Sequence, residues 1–295
     1  MTRRDARRRV REIAAMAKGE LAFGRTGLDF RKLSLEVLDL RANRGWIEWL
    51  EAAVATAVIA RSRPARTVRF LSELRERHEQ DGKPELFEAF ETLINDYLAP
   101  EKLTNHGYTT ATFDSVDHAP IWSGTAAAIA AVEATGHQVF LNSGTLLGVV
   151  RDGRLIDHDD DIDLAVILKA TTDADAASEW RALAATLAET GALDPEGKRI
   201  AGLLKLRGPD GVEVDLFPAW FVEGRLQVYP HTRGELTEEQ VLPLVPCPIT
   251  GHARPRDAEA MLAVNYGEGW RTPDPFFKFD WPRARRVFAP FLKAI

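Results

Sequence analysis

Residues 157–168 read Asp157-His158-Asp159-Asp160-Asp161-Ile162-Asp163-Leu164-Ala165-Val166-Ile167-Leu168, an acidic run that passes directly into an apolar one. From Asp161 the residues alternate polar and apolar and then turn aliphatic, which predicts a strand over Asp161–Leu168. Side chains of a strand alternate between faces, so Asp161 and Asp163 project together while Ile162 and Leu164 face the opposite, buried side. Two carboxylates aimed at one point repel each other unless a hard cation sits between them, and oxygen ligands of this kind select magnesium or manganese rather than zinc. A calcium loop of the EF-hand type needs a glycine six residues in, which this run lacks.

Upstream, Gln138–Leu141 reads as a short strand, and a turn with Asn142, Ser143 and Gly144 opens a short helix over Thr145–Val150. Magnesium keeps coordination positions for water and substrate phosphate, so a phosphate cradle is expected nearby. Ser143 and Gly144 fit it, because a helix start offers free N–H groups and a positive dipole end, and glycine lets the backbone come close. Arg151 follows within a turn or so as a contact for phosphate or an aspartate. Downstream, Leu203–Arg207 and Val212–Phe217 flank Gly208-Pro209-Asp210-Gly211 and read as a hairpin. Either Glu213 or Asp215 in its second strand supplies a third carboxylate. Lys205 and Arg207 alternate on the first strand, as positive charge near a phosphate or simply as exposed residues. His158, Asp159 and Asp160 stand in the loop before the acidic strand, with His158 either a loop histidine or a phosphate or nucleotide contact. Helices predicted over Ile121–Thr135 and about 174–189 complete an α/β or α+β pattern, a mixed sheet with flanking helices.

Before about residue 100 the text is helical, with apolar residues three and four apart at Leu33, Val37, Leu38, Leu40 and again at Leu86, Phe87, Phe90, Leu93, Ile94. Trp46–Ala60 and Phe70–His78 are helix segments, punctuated by Gly45 and Pro64, and Trp46 and Trp49 share a face suited to the core or a domain contact. The change of pattern after Ala99-Pro100 divides 1–104, an all-helical region of unassigned role, from 105–295, the region with the chemistry. Charge divides too: residues 1–80 hold 18 Lys/Arg against 11 Asp/Glu, leaving the rest of this chain of net charge -6 at -13. The basic run Arg3, Arg4, Arg7, Arg8, Arg9, Arg11 reads as a solvated helix end, a nucleic-acid contact or a foothold on anionic lipid, the first being the usual case. Cys247 is the single cysteine, which excludes an internal disulfide and a cysteine-rich zinc module and fits a reducing cytoplasm. The longest nearly apolar run, Ala52–Ala60, falls far short of the roughly 20 residues a bilayer span needs, and no apolar segment of a secretory signal follows the arginines.

Taken together, Phe140-Leu141-Asn142-Ser143-Gly144-Thr145-Leu146-Leu147-Gly148-Val149-Val150-Arg151, followed through Ile156 by Asp159-Asp160-Asp161-Ile162-Asp163-Leu164, resembles the LicD and fukutin family of the nucleotidyltransferase superfamily. Val214-Asp215-Leu216-Phe217-Pro218 resembles a later family segment, which favours Asp215 over Glu213, and Tyr266-Gly267 with Trp270 and Pro273 resembles its carboxy-terminal one. Ile156-Asp157-His158 departs from the Ile-Pro-Trp of many members, which bears on the acceptor or the transferred alcohol. The resemblance covers about 105–275 and implies a nucleotidyltransferase-like fold and an enzyme that transfers a substituted phosphate, such as phosphocholine or an alditol phosphate, from a CDP-linked donor to a sugar or glycan hydroxyl, with CMP leaving. It implies magnesium (or manganese) on Asp161 and Asp163, with Asp215 as a further ligand or proton acceptor, and donor phosphate on Ser143, Gly144, Thr145 and Arg151. No nucleic-acid partner is expected; a lipid-linked acceptor would give the basic amino terminus a membrane to touch. Two rivals are an ATP-dependent adenylyltransferase, since the Ser-Gly and Asp-x-Asp elements are shared across the superfamily, and a non-catalytic scaffold in glycan synthesis, against which the intact carboxylates count.

Overall fold

The computed structural model describes residues 2–24, 27–40, 46–104, 107–110, 112–197, 200–208, 212–274, 277 and 279–295, with only the backbone of Ser115. Gly45 and the predicted turn residues Pro209, Asp210 and Gly211 lie outside the described residues. The chain divides into two compact units, Met1–Thr110 with Asp274–Lys278, and Ala111–Pro273 with Phe279–Ile295.

The first unit is helical: α1 (Arg3–Phe23), α2 (Phe30–Asp39), α3 (Ile47–Ile59), α4 (Pro64–Gln80) and α5 (Pro84–Leu98), with a two-stranded ribbon of β1 (Lys102–Leu103) and β2 (Tyr108–Thr109). Thr2 and Asp29 cap α1 and α2 by accepting from the N–H groups of Asp5 and Lys32. α3 is the central helix because it is apolar on every side: Trp49, Leu50, Val54 and Val58 are buried together with its alanines, and α1, α2 and α4 pack around it. The opposing stripe of α1 is Val10, Ile13, Ala14, Ala17 and Leu21, at the three- and four-residue spacing of one helical face. Trp49 donates its indole N–H to the Val37 carbonyl at 2.9 Å and meets the edge of Phe70. Trp46, expected beside it in the core or at a domain contact, is only half-buried and carries the Arg7 guanidinium on its ring. α4 begins at Pro64 rather than at Phe70, since a proline in the first turn gives up no intrahelical hydrogen bond.

The second unit contains α6 (His118–Glu133), β3 (Gln138–Leu141), α7 (Ser143–Arg151), β4 (Asp161–Ile167), α8 (Asp173–Glu189), β5 (Leu204–Leu206), β6 (Glu213–Val222), β7 (Arg225–Val228), β8 (Thr232–Thr237) and α9 (Glu238–Val241). A small ribbon of β9 (Val245–Pro246) and β10 (Ala253–Arg254) follows, then α10 (Ala258–Tyr266), α11 (Trp281–Val287) and α12 (Ala289–Ala294). The sheet is mixed, in the order β3-β4-β6-β7-β8, with β5 also on β6; among the described residues only β4 and β6 run parallel. Ile162, Leu164 and Val166 are fully buried, and on the other face Ala165 is fully buried while Asp161 and Asp163 are buried but keep a little exposure. β5 and β6 pair antiparallel as the hairpin reading expects, but β6 runs on to Val222 and turns through Glu223-Gly224 into β7. Both turn residues have positive φ (50° and 71°), the two-residue turn whose twist matches that of its strands. Among the described residues no helix is long and apolar enough to cross a membrane.

Candidate functional site

Register decides which acidic residues meet. β4 and β6 are parallel with Asp163 opposite Asp215 and Asp161 opposite Glu213, while β5 places Lys205 opposite Asp215 from the other side. Neighbours in register share a sheet face, so Asp163, Asp215 and Lys205 form one row across three strands, and Asp161 joins them two residues along β4. One carboxylate oxygen from each of Asp161, Asp163 and Asp215 lies within 4.8 Å of the others, and all three residues are buried. Asp159, Asp160 and Asp161 form a second such group on the approach to β4, with Asp161 common to both.

Like charges packed this closely resist ionisation. Burial, then the charges of Asp161 and Asp215, drive the Asp163 carboxyl well above its ordinary range, and the N–H groups of Gly144 and Thr145 only partly offset that. Asp159 is driven up in the same way, by burial first and then by Asp161 and Asp163. Asp215 is pushed up to about 6 by burial, with the Lys205 ammonium 2.7 Å away pulling against it. Lys205 also pairs with the exposed Glu213, so one lysine faces a surplus of carboxylates. An all-oxygen donor set, buried and short of positive charge, fits a hard divalent cation.

The helix α7 is built against this row. Asn142 N–H donates to the Asp163 carbonyl at 3.0 Å, Asp163 N–H to Thr145 Oγ1 at 2.8 Å, and Gly144 N–H to Asp163 Oδ2 at 2.8 Å. These bonds tie the positive end of α7 to β4. A Cβ on Gly144 would sit 2.7 Å from Asp159 Oδ2 and 3.2 Å from Asp163 Oδ2, and one on Gly148 would lie 2.6 Å from the Arg154 carbonyl. The two glycines, one turn apart, therefore admit the carboxylates and the chain returning to them. Gly144→Ala is expected to cut turnover by roughly ten- to a hundredfold through displaced carboxylates, with a change in melting temperature of a few degrees at most; unchanged kinetics would show that the carboxylates tolerate the displacement.

Ser143 begins α7 with φ of 42°, and its Oγ lies 3.3 Å from His231 Nδ1. His231, between β7 and β8, contacts the rings of Phe217, Tyr266 and Phe279 at 4.7–6.5 Å between centroids, and burial drives its imidazole down to about 4, so it is neutral near pH 7. Tyr266, at the end of α10 where that helix packs on α7, has its phenol pushed well up by burial and then by Asp163, Asp159 and Asp161. Asn142 is fully buried, and neither of its side-chain amide atoms has a hydrogen-bond partner.

Residues 136–255 match the family described as LicD/FKTN/FKRP, nucleotidyltransferase domain. This stretch belongs to the LicD/fukutin family. No curated protein matches the chain. The LicD domain spans the acidic row, α7 and His231, and it points to a transferase that modifies glycans.

Within it, Asp161, Asp163 and Asp215 come together as a group, with Asp159 and Asp160 beside them. Other expected roles shift. The Gly144 N–H, expected to face phosphate, is taken by Asp163. Arg151 is forked onto Asp152 at 2.8 and 2.9 Å, the residue next to it, rather than onto the acidic row. Lys205 is buried against Asp215 instead of exposed, because the hairpin register sets it opposite that carboxylate; Arg207 and His158 are exposed. His231, a lone histidine after a proline, has no local signal in the sequence, and Asn142, whose amide the fold leaves without a partner, reads only as a turn residue.

Proposed function

We propose that this LicD-family chain moves a substituted phosphate, such as phosphocholine or an alditol phosphate, from a CDP-linked donor to a sugar or glycan hydroxyl and releases CMP. The observation that supports it is the row of Asp161, Asp163 and Asp215 beneath the start of the Gly-Thr-Leu-Leu-Gly helix. Asp161 and Asp163 would hold magnesium or manganese, with Asp215 as a further ligand or as proton acceptor. When bound, the ion supplies neutralisation of the donor diphosphate and of the departing CMP.

The chain's own residues supply position. Transfer in line needs the acceptor hydroxyl, phosphorus and leaving oxygen held together. Asp163 is fixed by Gly144 and Thr145, which sets the direction of its free oxygen. With the Gly144 N–H engaged, the Ser143 hydroxyl, shared with His231, becomes the α7 group for a donor phosphate oxygen. Asp215, poised at about 6, is suited to take the acceptor's proton and become a neutral acid, and Lys205 favours the ionised form that must be present beforehand. Tyr266 and the ring of His231 close one side of the same space. Any membrane contact would come from the acceptor, with the basic amino terminus as foothold and a cytoplasmic setting.

Purified protein with magnesium or manganese, offered CDP-linked alcohols and ATP, is expected to release CMP from at least one CDP-alcohol when a glycan acceptor is added. Pyrophosphate from ATP, with no CMP from any CDP-alcohol, would establish the adenylyltransferase reading instead.

A further inference from the structure

The helical unit holds a cavity of about 340 Å³ far from acidic in character, with Arg7, Arg11, Trp46, Glu48, Arg77 and Asp81 in its lining. Arg7 and Arg11 lie one turn apart on α1 and share a face. The Arg7 guanidinium rests 3.3 Å from the centroid of the Trp46 ring, and it makes no ion pair or hydrogen bond with the described residues. Stacking on an indole fixes the plane of a guanidinium and leaves its N–H edge available. Arg77 gives one nitrogen to Glu73 at 3.1 Å, and its Nε is buried with no hydrogen-bond partner. Arg11 and Glu48 neutralise each other at 3.1 Å, which leaves Asp81 as the carboxylate opposing Arg7 and Arg77. α3, thirteen residues long, begins at this wall with no side-chain cap on its first N–H groups, which adds its positive end to the arginines.

An unsatisfied guanidinium held over an aromatic ring, with a second arginine in the lining of a cavity large enough for a small molecule, is the chemistry of phosphate recognition. We infer that this cavity binds a phosphomonoester or diphosphate, with Arg7 as the principal contact and Arg77 as the second. The group could be carried by a soluble phosphate ester or by a phospholipid headgroup; the shared requirement is a compact, multiply charged phosphate.

Calorimetric titration of the full chain with inorganic pyrophosphate, in excess EDTA so that no divalent ion bridges it to the acidic row, tests the site apart from any transferase activity. Binding is expected, and Arg7→Gln is expected to weaken it about tenfold or more, since a charge-assisted fork is lost. Arg77→Gln should weaken it less. Arg8→Gln, on an exposed arginine that pairs with Asp5 and Glu12, should leave it unchanged. Matching melting temperatures of the three variants establish that they fold, and Arg7→Lys, which keeps the charge without the fork, gives a further reading if Arg7→Gln does not. Sedimentation with phosphatidylcholine vesicles, with and without phosphatidic acid, separates the sources: Arg7-dependent pelleting that pyrophosphate competes away assigns a lipid headgroup, and titration heat without pelleting assigns a soluble ester. Absence of both heat and pelleting overturns the inference, as does equal weakening by Arg7→Gln and Arg8→Gln.

Discussion

Asp161→Asn and Asp163→Asn are each expected to lower turnover on the order of a thousandfold while leaving the metal-free protein at least as heat-stable as the unsubstituted chain. The two effects share one cause. Asp163 stands in a buried group where burial, Asp161 and Asp215 all oppose its charge, so an uncharged amide of the same shape removes a repulsion that folding otherwise has to bear. Asparagine still presents an oxygen to the Gly144 N–H, so the tie between α7 and β4 survives. What it does not present is the negative charge that holds a divalent ion. Thermal melts with and without magnesium, beside CMP-release kinetics, check both halves. Retained activity in both variants would remove the acidic row from the chemistry, and a large loss of metal-free stability would mean that the carboxylates serve the fold.

The buried carboxyls are expected to cost the metal-free protein stability as pH rises from about 4 to above 6, against an opposite contribution from His231, whose imidazole titrates at about 4 when folded; magnesium or manganese is expected to add stability, more at pH 7.5 than at pH 5. For Asp215 the folded carboxyl titrates at about 6 against 3.8 as its ordinary value. Between those values the folded chain keeps a proton that the unfolded chain has released, so the unfolded state gains as pH rises; the shift corresponds to about 3 kcal/mol once both have ionised. Asp163 and Asp159, also driven up, add in the same direction. A cation binds the charged forms and competes with protons, which is why its effect grows with pH. Melting temperature against pH, in EDTA and in millimolar magnesium or manganese, reads this directly. A metal-induced rise that is equal at both pH values would place the ion away from these carboxylates. The same scan on Asp215→Asn should raise the metal-free curve above pH 6 relative to its value at pH 4, because the carboxyl's downward share is gone.

Much of the acidic site was legible from local pattern. The two-residue period of a strand puts Asp161 and Asp163 on one face whatever surrounds them, and β4 spans Asp161–Ile167, one residue short of the expected end. β3 matches its predicted limits, and the short helix after Asn142 begins two residues earlier than expected, at Ser143. The β7 and β8 strands escaped, although Glu223-Gly224 carries a turn signal, because Arg225–Val228 and Thr232–Thr237 are short and interrupted by Tyr229-Pro230-His231. The expected helix start at Phe70 was late because Pro64 reads as a break when it is in fact the first residue of α4.

The sequence by itself determined that two carboxylates share a strand face, that a glycine-bearing helix precedes them, and that the first hundred residues are helical, since each follows from periodicities a few residues long. Only the tertiary structure decided that Lys205 is buried against Asp215, that the Gly144 N–H serves Asp163, and that His231 reaches Ser143. The reason is physical: those relations depend on strand register and on helix packing, which are set by burial of side chains distant in the chain and leave no mark in the local spacing of residues.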